Sequence, residues 1–366
     1  MTTLLRATDS AELLGIVPLL AGFTPRQSLV LLPFHGSRSR AAMRLDLPDA
    51  HLRPDEYADL AIGLIARVER VDAIAVVVYC DDPPQHTPDG LLLPIAVQVD
   101  ELLERAGDAG LRIVDALCVT PSGWSSYLED EPRLLPLDEN AVPDVSDTDV
   151  TGDQTSGTDL PAADLTEKER VGRALRDLTR LLDDDCRPSS ARRENPQAIA
   201  AAAMLDDLTT FFETALNDPE GAQPFATAAL LWCMDRPALR DVALTQWASD
   251  HRTGDRALDA QLSYAAAGTL VPDDLGELLL GRGPAPDAER LRLALSAVRA
   301  AAARAPQTYR RGPLTVAAWL SWALGRSTHA AHYLRLVREI DPEYGLAALV
   351  HTLIDAAVLP EWAFRR

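Results

Sequence analysis

An acidic stretch of low hydrophobicity divides this sequence into two parts with different hydrophobic patterns. Residues 129–165 carry eleven acidic side chains against the single base Arg133, and they are rich in Asp, Thr, Ser, Gly and Pro. A stretch of this composition buries too little apolar surface to fold alone, which predicts a disordered acidic linker. We therefore expect an α/β domain over 1–128, the linker over 129–165 and an all-α domain over 166–366.

Short apolar runs alternate with helical patterns in the first part. Residues 73–79 (AIAVVVY) are typical of a strand buried on both faces, and apolar residues recur at helical spacing within 57–68. This alternation predicts an α/β fold whose mixed, partly parallel sheet has about five strands. The predicted strands cover 28–34, 41–47, 73–79, 112–119 and 124–128, and a further helix covers about 91–106.

Carboxylates follow two of the strands predicted to be parallel. Because strand–helix–strand connections make strands parallel, we expect 41–47, 73–79 and 112–119 to end at the same edge of the sheet. A set of oxygen-bearing side chains at that edge predicts a ligand site, either for Mg²⁺ or for acid–base chemistry. The alternative is that these side chains belong to solvated turns. The candidate residues are Asp46, Asp49, Asp81, Asp82 and Ser122.

Arg44 and Trp124 are candidates for lining the same ligand site. Arg44 shares a strand face with Asp46, so it either faces the site or pairs with an acid at the rim of the sheet. Trp124 either forms an aromatic wall for a ligand or packs within its hairpin. Cys80 is followed by two aspartates that disfavour its thiolate, so no nucleophile is expected there. We assign no catalytic residue and commit to no metal ligand from sequence motifs.

The residues after 165 show helical patterns only, separated by Pro and Gly, which predicts an all-α array. The segment 311–344 resembles a tetratricopeptide unit. Small Ala318 and Ala330 allow two helices to approach closely, Gly325 turns the chain and Pro342 ends the second helix. An open array would present a groove for a peptide, whereas a closed bundle would only pack against the first domain.

Charge and cysteine spacing argue against several classes of protein. A net charge of −20 without a basic stripe argues against nonspecific nucleic-acid binding. Lys168 is the only lysine, which disfavours a phosphate-binding P-loop and Schiff-base chemistry. Cys80, Cys118, Cys186 and Cys233 are far apart, as expected for reduced thiols in the cytoplasm. No run approaches the roughly 18 apolar residues of a membrane span, so we expect a cytoplasmic protein with no membrane partner.

Several short motifs resemble those of an actinobacterial family of unknown function. That family carries Gly-Phe-x-Pro-x-x-Ser-Leu-Val near its N-terminus and then an Arg-x-Asp-x-Pro strand end, and 123–127 (GWSSY) is similar to its Trp-Ser-Tyr segment. The resemblance extends to the helical tail that ends at 360–362 (PEW), and it implies a cytoplasmic two-part protein without an assigned activity. The matching N-terminal residues are Pro18, Gly22, Phe23, Pro25, Ser28, Leu29, Val30, Arg44, Asp46 and Pro48.

These observations favour a non-enzymatic adaptor or regulatory protein that binds another protein through its helical domain. The basis is the tetratricopeptide-like hairpin, the acidic linker and the lack of a recognisable catalytic set. The alternative is an enzyme or small-ligand sensor that uses the carboxylates at the edge of the sheet, with Mg²⁺ as the cofactor considered. No sequence feature indicates the identity of the partner or the oligomeric state.

Overall fold

The computed structural model describes residues 7–39, 42–49, 51–88, 90–137, 150, 152–183 and 195–364. The chain divides into an α/β unit, Met1–Ser156 with Phe364–Arg366, and a helical unit, Gly157–Ala363. The division falls inside the interval 129–165 that the sequence assigns to a linker. The central part of that interval, 138–149, lies outside the described residues.

The α/β unit consists of strands and helices in alternation, as predicted. Its described helices are α1 (Ser10–Ala21), α2 (Pro54–Ile65) and α3 (Ala96–Asp108). Its described strands are β1 (Ser28–His35), β2 (Arg38–Ser39), β3 (Met43–Asp46), β4 (Ala73–Tyr79), β5 (Gln85–Thr87), β6 (Gly90–Leu92), β7 (Arg112–Thr120) and β8 (Gly123–Ser126).

The main sheet is mixed, which confirms the predicted fold class. Its strands lie in the order β2-β1-β4-β7-β8, and β3 also pairs with β1. β4 and β7 are parallel, whereas β1 is antiparallel to both β3 and β4. β3, β4 and β7 therefore run in one direction, and their carboxyl ends lie at one edge of the sheet. β1 lies between β3 and β4 because the chain turns back directly after β1 and forms a hairpin.

Apolar composition explains why β4 is central. All seven residues of this strand are buried, which requires cover on both faces of the sheet. On one face, Leu13 and Val17 of α1 pack with Val30 and Val77. Helix α1 begins where the Asp9 side chain accepts a hydrogen bond from the Glu12 N–H at 2.9 Å.

The start of α3 differs from the prediction, which placed it near residue 91. Leu91 and Leu92 belong instead to β6, which forms a separate two-stranded sheet with β5. Pro94 lies between β6 and α3, and a proline disfavours helical conformation in the residue before it. The helix therefore begins at Ala96.

The described ends of the interval 129–165 make defined contacts within the α/β unit. Leu135 exchanges two backbone hydrogen bonds with Trp124, at 2.8 and 2.9 Å. After the undescribed part, the Thr24 N–H donates to the Gly152 carbonyl at 2.9 Å, and the Arg26 N–H donates to the Gln154 side chain at 3.1 Å. These parts of the interval therefore belong to the α/β unit.

The helical unit contains no strand among its described residues, so the all-α prediction is confirmed. None of the helices in the described ranges is long and apolar enough to cross a membrane. The helices are α4 (Leu165–Asp183), α5 (Pro196–Met204), α6 (Leu208–Asn217), α7 (Pro224–Met234), α8 (Pro237–Trp247), α9 (His251–Ala267), α10 (Asp273–Leu279), α11 (Ala288–Arg304), α12 (Arg311–Ala323), α13 (Ser327–Ile340) and α14 (Gly345–Asp355).

Helix α12 is the most deeply buried helix of this unit in the described ranges, with every residue from Gly312 to Ala323 buried. Gly312 lies against the backbone carbonyl of Met234, where a Cβ atom would clash, so its lack of a side chain permits α12 to pack on α7. Trp319 and Trp322 fill the core around α12, and their indole N–H groups donate to backbone carbonyls at 2.8 and 2.7 Å.

Helices α12 and α13 form the helical hairpin predicted for 311–344. Gly325 turns the chain with φ at 77°, and Ala318 and Ala330 are fully buried. The more specific resemblance to a tetratricopeptide unit stays a prediction. Elsewhere, residues 194–217 have one continuous helical pattern without Gly or an internal helix break, which predicts a single helix, but the structure divides this stretch into α5 and α6. The cause is Asp207, whose side chain accepts from the Thr210 N–H at 3.0 Å and starts a new helix.

Candidate functional site

A groove of about 810 Å³ lies at the carboxyl edge of the main sheet. Its walls come from the chain after β3 and β4, from the β5–β6 hairpin and from the first turn of α3. A volume of this size is typical of small-molecule sites in proteins, and the lining is mostly apolar. The lining residues are Gln27, Asp46, Leu47, Pro48, Cys80, Asp82, Pro83, Pro84, Gln85, Leu92, Leu93, Pro94, Ile95, Ala96, Val97 and Gln98.

The groove brings together two of the predicted site residues, Asp46 and Asp82. Asp81 forms an ion pair with Arg26 at 2.9 Å instead. Asp49 and Ser122 lie outside the lining, and both are exposed. The five candidates therefore share one edge of the sheet, but they do not converge on one point.

Asp46 is held at the groove by its own strand and by α2. Its carboxylate pairs with Arg44, whose Nε atom also donates to the Ser28 hydroxyl at 2.7 Å. The Tyr57 hydroxyl donates to the backbone carbonyl of Asp46 at 2.8 Å. Arg44 thus lies beside the groove as the partner of Asp46 and is absent from the lining.

Trp124 does not line the groove. Its side chain packs against the cluster beneath α1 that contains Leu13 and Tyr79. Its backbone bonds to Leu135, and Gly123 lies so close to the Leu135 carbonyl that a Cβ atom would clash. The ring therefore packs in the core beneath α1, and not only against its own hairpin.

Two residues that line the groove have a left-handed backbone, which non-glycine residues rarely adopt. Gln27 has φ at 44° and Ile95 has φ at 47°. The Gln27 side chain accepts a hydrogen bond from the Asp81 N–H at 3.1 Å, which ties the start of β1 to the end of β4. Ile95 immediately precedes α3, whose first turn has neither a side-chain cap nor an acidic residue. Backbone strain of this kind is concentrated at binding and active sites.

Cys80 forms part of the groove and is poorly suited to act as a nucleophile. Its Sγ atom lies 3.8 Å from an oxygen of Asp82. Burial, followed by the charges of Asp82 and Asp81, raises the pKa of the Cys80 thiol, while a backbone hydrogen bond lowers it. Burial likewise raises the pKa of Cys118 to about 11. Both thiols are therefore protonated at neutral pH, which agrees with the expectation for Cys80.

Few side chains at the groove could bind a metal ion. Among the described residues, no group of three or more His, Cys, Asp or Glu side chains is placed to hold a metal ion. Mg²⁺ prefers several oxygen ligands in near-octahedral geometry, and the groove offers the carboxylates of Asp46 and Asp82. Binding of Mg²⁺ at this edge stays a prediction.

Several groove residues have no signal in the sequence that marks them as functional. Gln27, Ile95 and the first turn of α3 reach the groove because of the turn at Pro94 and the course of β1. Two prolines at 83–84 precede the β5–β6 hairpin and Pro94 follows it. These prolines are the sequence feature that marks the limits of the hairpin, which forms one wall of the groove.

The sequence and the structure were compared with known proteins and protein families. No curated protein and no solved structure matches it. A family match extends over residues 11–361, which includes both units almost entirely. The protein therefore belongs to the family described as Domain of unknown function (DUF4192).

Proposed function

We propose that the α/β unit binds a small organic ligand that has an apolar body and a cationic group. The observation that carries this proposal is the groove at the carboxyl edge of the sheet, with an apolar lining and the carboxylates of Asp46 and Asp82 at its rim. Ligands of open α/β sheets bind at this edge, outside the ends of the parallel strands. The proposal concerns binding, and it assigns no catalytic residue.

The charged side chains around this groove favour a cation over an anion. Four aspartates stand at the edge, and two arginines oppose them. Both arginines are used in ion pairs, Arg26 with Asp81 and Arg44 with Asp46. Within the described residues, Asp82 has no ion-pair partner, so its carboxylate is the one most available to a ligand amine.

Three probes with one aromatic body and different charges test this proposal. We expect benzylamine to bind the full-length protein more tightly than benzyl alcohol, and benzoate to bind most weakly. Chemical shift perturbation of the groove residues in nuclear magnetic resonance titrations measures the three affinities. Asp82→Asn is expected to weaken benzylamine binding about tenfold, which corresponds to the loss of about 1.4 kcal/mol.

Asp108→Asn is the matched control, because Asp108 is an exposed aspartate at the far end of α3. This control is expected to bind benzylamine as the unmodified protein does. Equal affinity for benzylamine and benzoate would contradict the proposal, as would an Asp82→Asn variant with undiminished benzylamine binding.

A second candidate function is the binding of another protein by the helical unit, as expected for an adaptor. The observation that favours it is a run of exposed residues, 262–270, at the end of α9 and just after it. Three large apolar side chains in this run, Leu262, Tyr264 and Leu270, are 59%, 55% and 84% exposed. Apolar side chains exposed in one short segment mark interaction surfaces. The helical hairpin α12–α13 supports the same proposal, and the wide spacing of the cysteines supports a cytoplasmic location for it.

Affinity purification from the native host tests the second candidate. We expect one identified partner to be retained by the full-length protein and by Asp259→Ala, which changes an exposed polar residue of α9. Leu262→Glu is expected to abolish retention of that partner, because a buried unpaired carboxylate is costly at an apolar interface. Retention of the same partner by Leu262→Glu would show that this segment is not the interface.

A further inference from the structure

A threonine hydroxyl, an imidazole and a carboxylate lie in line where α6 meets α9. The Thr210 Oγ1 atom is 3.5 Å from Nε2 of His251, and Nδ1 of His251 is 3.3 Å from a carboxylate oxygen of Asp255. All three residues are exposed, so their side chains are accessible from solvent. A hydroxyl, an imidazole and a carboxylate in this order are the groups of a catalytic triad, which is recognised by geometry and not by position in the sequence.

The first turns of α6 and α9 hold this arrangement in place. His251 and Asp255 are four residues apart on α9, so their side chains are neighbours on one face of the helix. The hydroxyl of Thr209, a buried residue, donates to the second oxygen of Asp255 at 2.6 Å and joins α6 to α9. Gly254 lies against the Gln246 side chain, where a Cβ atom would clash, so its lack of a side chain permits α9 to pack on α8.

Asp255 determines which nitrogen of His251 carries the proton. A carboxylate beside Nδ1 favours the tautomer that is protonated on Nδ1, which leaves the lone pair of Nε2 to accept a proton. Nε2 is the atom that faces the Thr210 hydroxyl. The distance of 3.5 Å is long for a hydrogen bond, but such contacts in catalytic sites are often longer before a substrate binds. The carboxylate also stabilises the imidazolium that forms when the proton is transferred.

The backbone at Thr210 limits which acyl donors would react with its hydroxyl. The Thr210 N–H donates to the Asp207 side chain at 3.0 Å, so it is occupied and does not stabilise an oxyanion. The loss of one oxyanion donor costs hydrolytic enzymes about 10²–10³ in rate. Amides and alkyl esters, which react slowly, are therefore poor substrates here, and the acyl donor needs a good leaving group.

We propose that Thr210 accepts an acyl group from a thioester or an aryl ester, with His251 as its general base and Asp255 as the residue that positions His251. The Thr210 oxygen attacks the carbonyl carbon while its proton passes to Nε2 of His251. The bond from the carbonyl carbon to the sulfur or aryl oxygen then breaks, and the leaving thiolate or phenolate takes the proton from His251. The products are Thr210 acylated as an ester and a free thiol or phenol. The site lies wholly within the helical unit.

Reaction of the full-length protein with 4-nitrophenyl acetate tests this inference. Release of 4-nitrophenol gives the rate, and mass spectrometry of peptides from the quenched protein identifies the acetylated residue. We expect Thr210 to be acetylated faster than Thr214, an exposed threonine one turn later on α6. His251→Gln is expected to slow acetylation of Thr210 about 100-fold, as for the loss of a general base, and Asp255→Asn to slow it by a smaller factor. S-phenyl thioacetate distinguishes the two donors: faster acetylation by this reagent indicates a thioester.

His351→Gln is the matched control, because His351 pairs with Asp355 at the same spacing on α14, at 2.6 Å. This variant is expected to acetylate Thr210 as the unmodified protein does. The side chains of Thr210, His251 and Asp255 are exposed, so we expect their variants to fold.

Three results would overturn the proposal. The first is acetylation of Thr210 no faster than that of Thr214. The second is an equal rate of Thr210 acetylation in His251→Gln and His351→Gln. The third comes from Thr210→Val, which is expected to remove the part of 4-nitrophenol release that depends on His251. If that part persisted, His251 itself would be the nucleophile.

Discussion

Replacing Trp247 by alanine is expected to destabilise the helical unit by about 3–5 kcal/mol, the range found when large aromatic residues are deleted from cores. Trp247 is fully buried at the end of α8, and its ring meets that of Phe212 edge-on with centroids 6.0 Å apart. Its indole N–H donates to the Phe212 carbonyl at 3.1 Å. Alanine would remove both the packing and this hydrogen bond. Urea unfolding followed by far-ultraviolet circular dichroism measures the loss.

Two further variants separate the causes of this effect. Trp247→Phe keeps most of the ring packing and loses the hydrogen bond, so we expect a smaller loss, of about 1–3 kcal/mol. Trp232→Ala is the comparison at a less buried position, where the ring lies 3.6 Å from the Arg236 guanidinium. A loss in Trp247→Ala no larger than that in Trp232→Ala would show that α8 is not anchored by Trp247.

Raising the pH from about 8 to about 10.5 is expected to destabilise the α/β unit through Cys118, by about 2–3 kcal/mol in the limit of full ionisation. Burial raises the pKa of this thiol to about 11. Between the ordinary thiol pKa and the raised one, the unfolded chain has lost its proton while the folded chain keeps it. The stabilisation is therefore complete below the ordinary pKa, and it is lost as pH rises through the folded value. Burial also raises the pKa of Tyr127 and Tyr79, which adds to the loss at higher pH.

Cys118→Ala isolates this contribution, because alanine does not ionise. The variant is expected to be less stable at pH 8 from lost packing, but to lose less stability on the way to pH 10.5. Cys233→Ala is the matched control in the helical unit, where burial raises the pKa of that thiol to about 12. Hydrogen exchange of β7 amides at each pH reports the stability of the α/β unit by itself. If the stability of Cys118→Ala fell with rising pH as steeply as that of the unmodified chain, Cys118 would not be the cause of the loss.

The secondary structure followed from local patterns with few errors. The run AIAVVVY predicted β4 because a strand buried on both faces needs apolar side chains at every position. Gly and Pro marked most helix ends because they alter the backbone in any context. The errors occurred at the boundaries of helices. Leu91 and Leu92 were assigned to the helix that follows them but form β6, and Asp207 starts a new helix inside a continuous helical pattern.

The candidate site was predicted only in part. The common direction of three strands was enough to expect carboxylates at one edge, and Asp46 and Asp82 are found there in one groove. Pairing could not be foreseen: Asp81 is occupied by Arg26, which precedes β1 and is distant in sequence. The strained backbone of Gln27 and Ile95 was equally unpredictable, because it results from closure of the surrounding structure.

Hydrophobic periodicity and composition alone were sufficient for the fold class, the approximate extent of most elements and the helical character of the second part. These properties depend on contacts between near neighbours in the chain, which the order of residues specifies directly. The position of β1 between β3 and β4 and the formation of the groove depend on residues far apart in sequence. Such contacts form only when whole elements pack, since the packing of all side chains together selects among the many arrangements that local patterns permit.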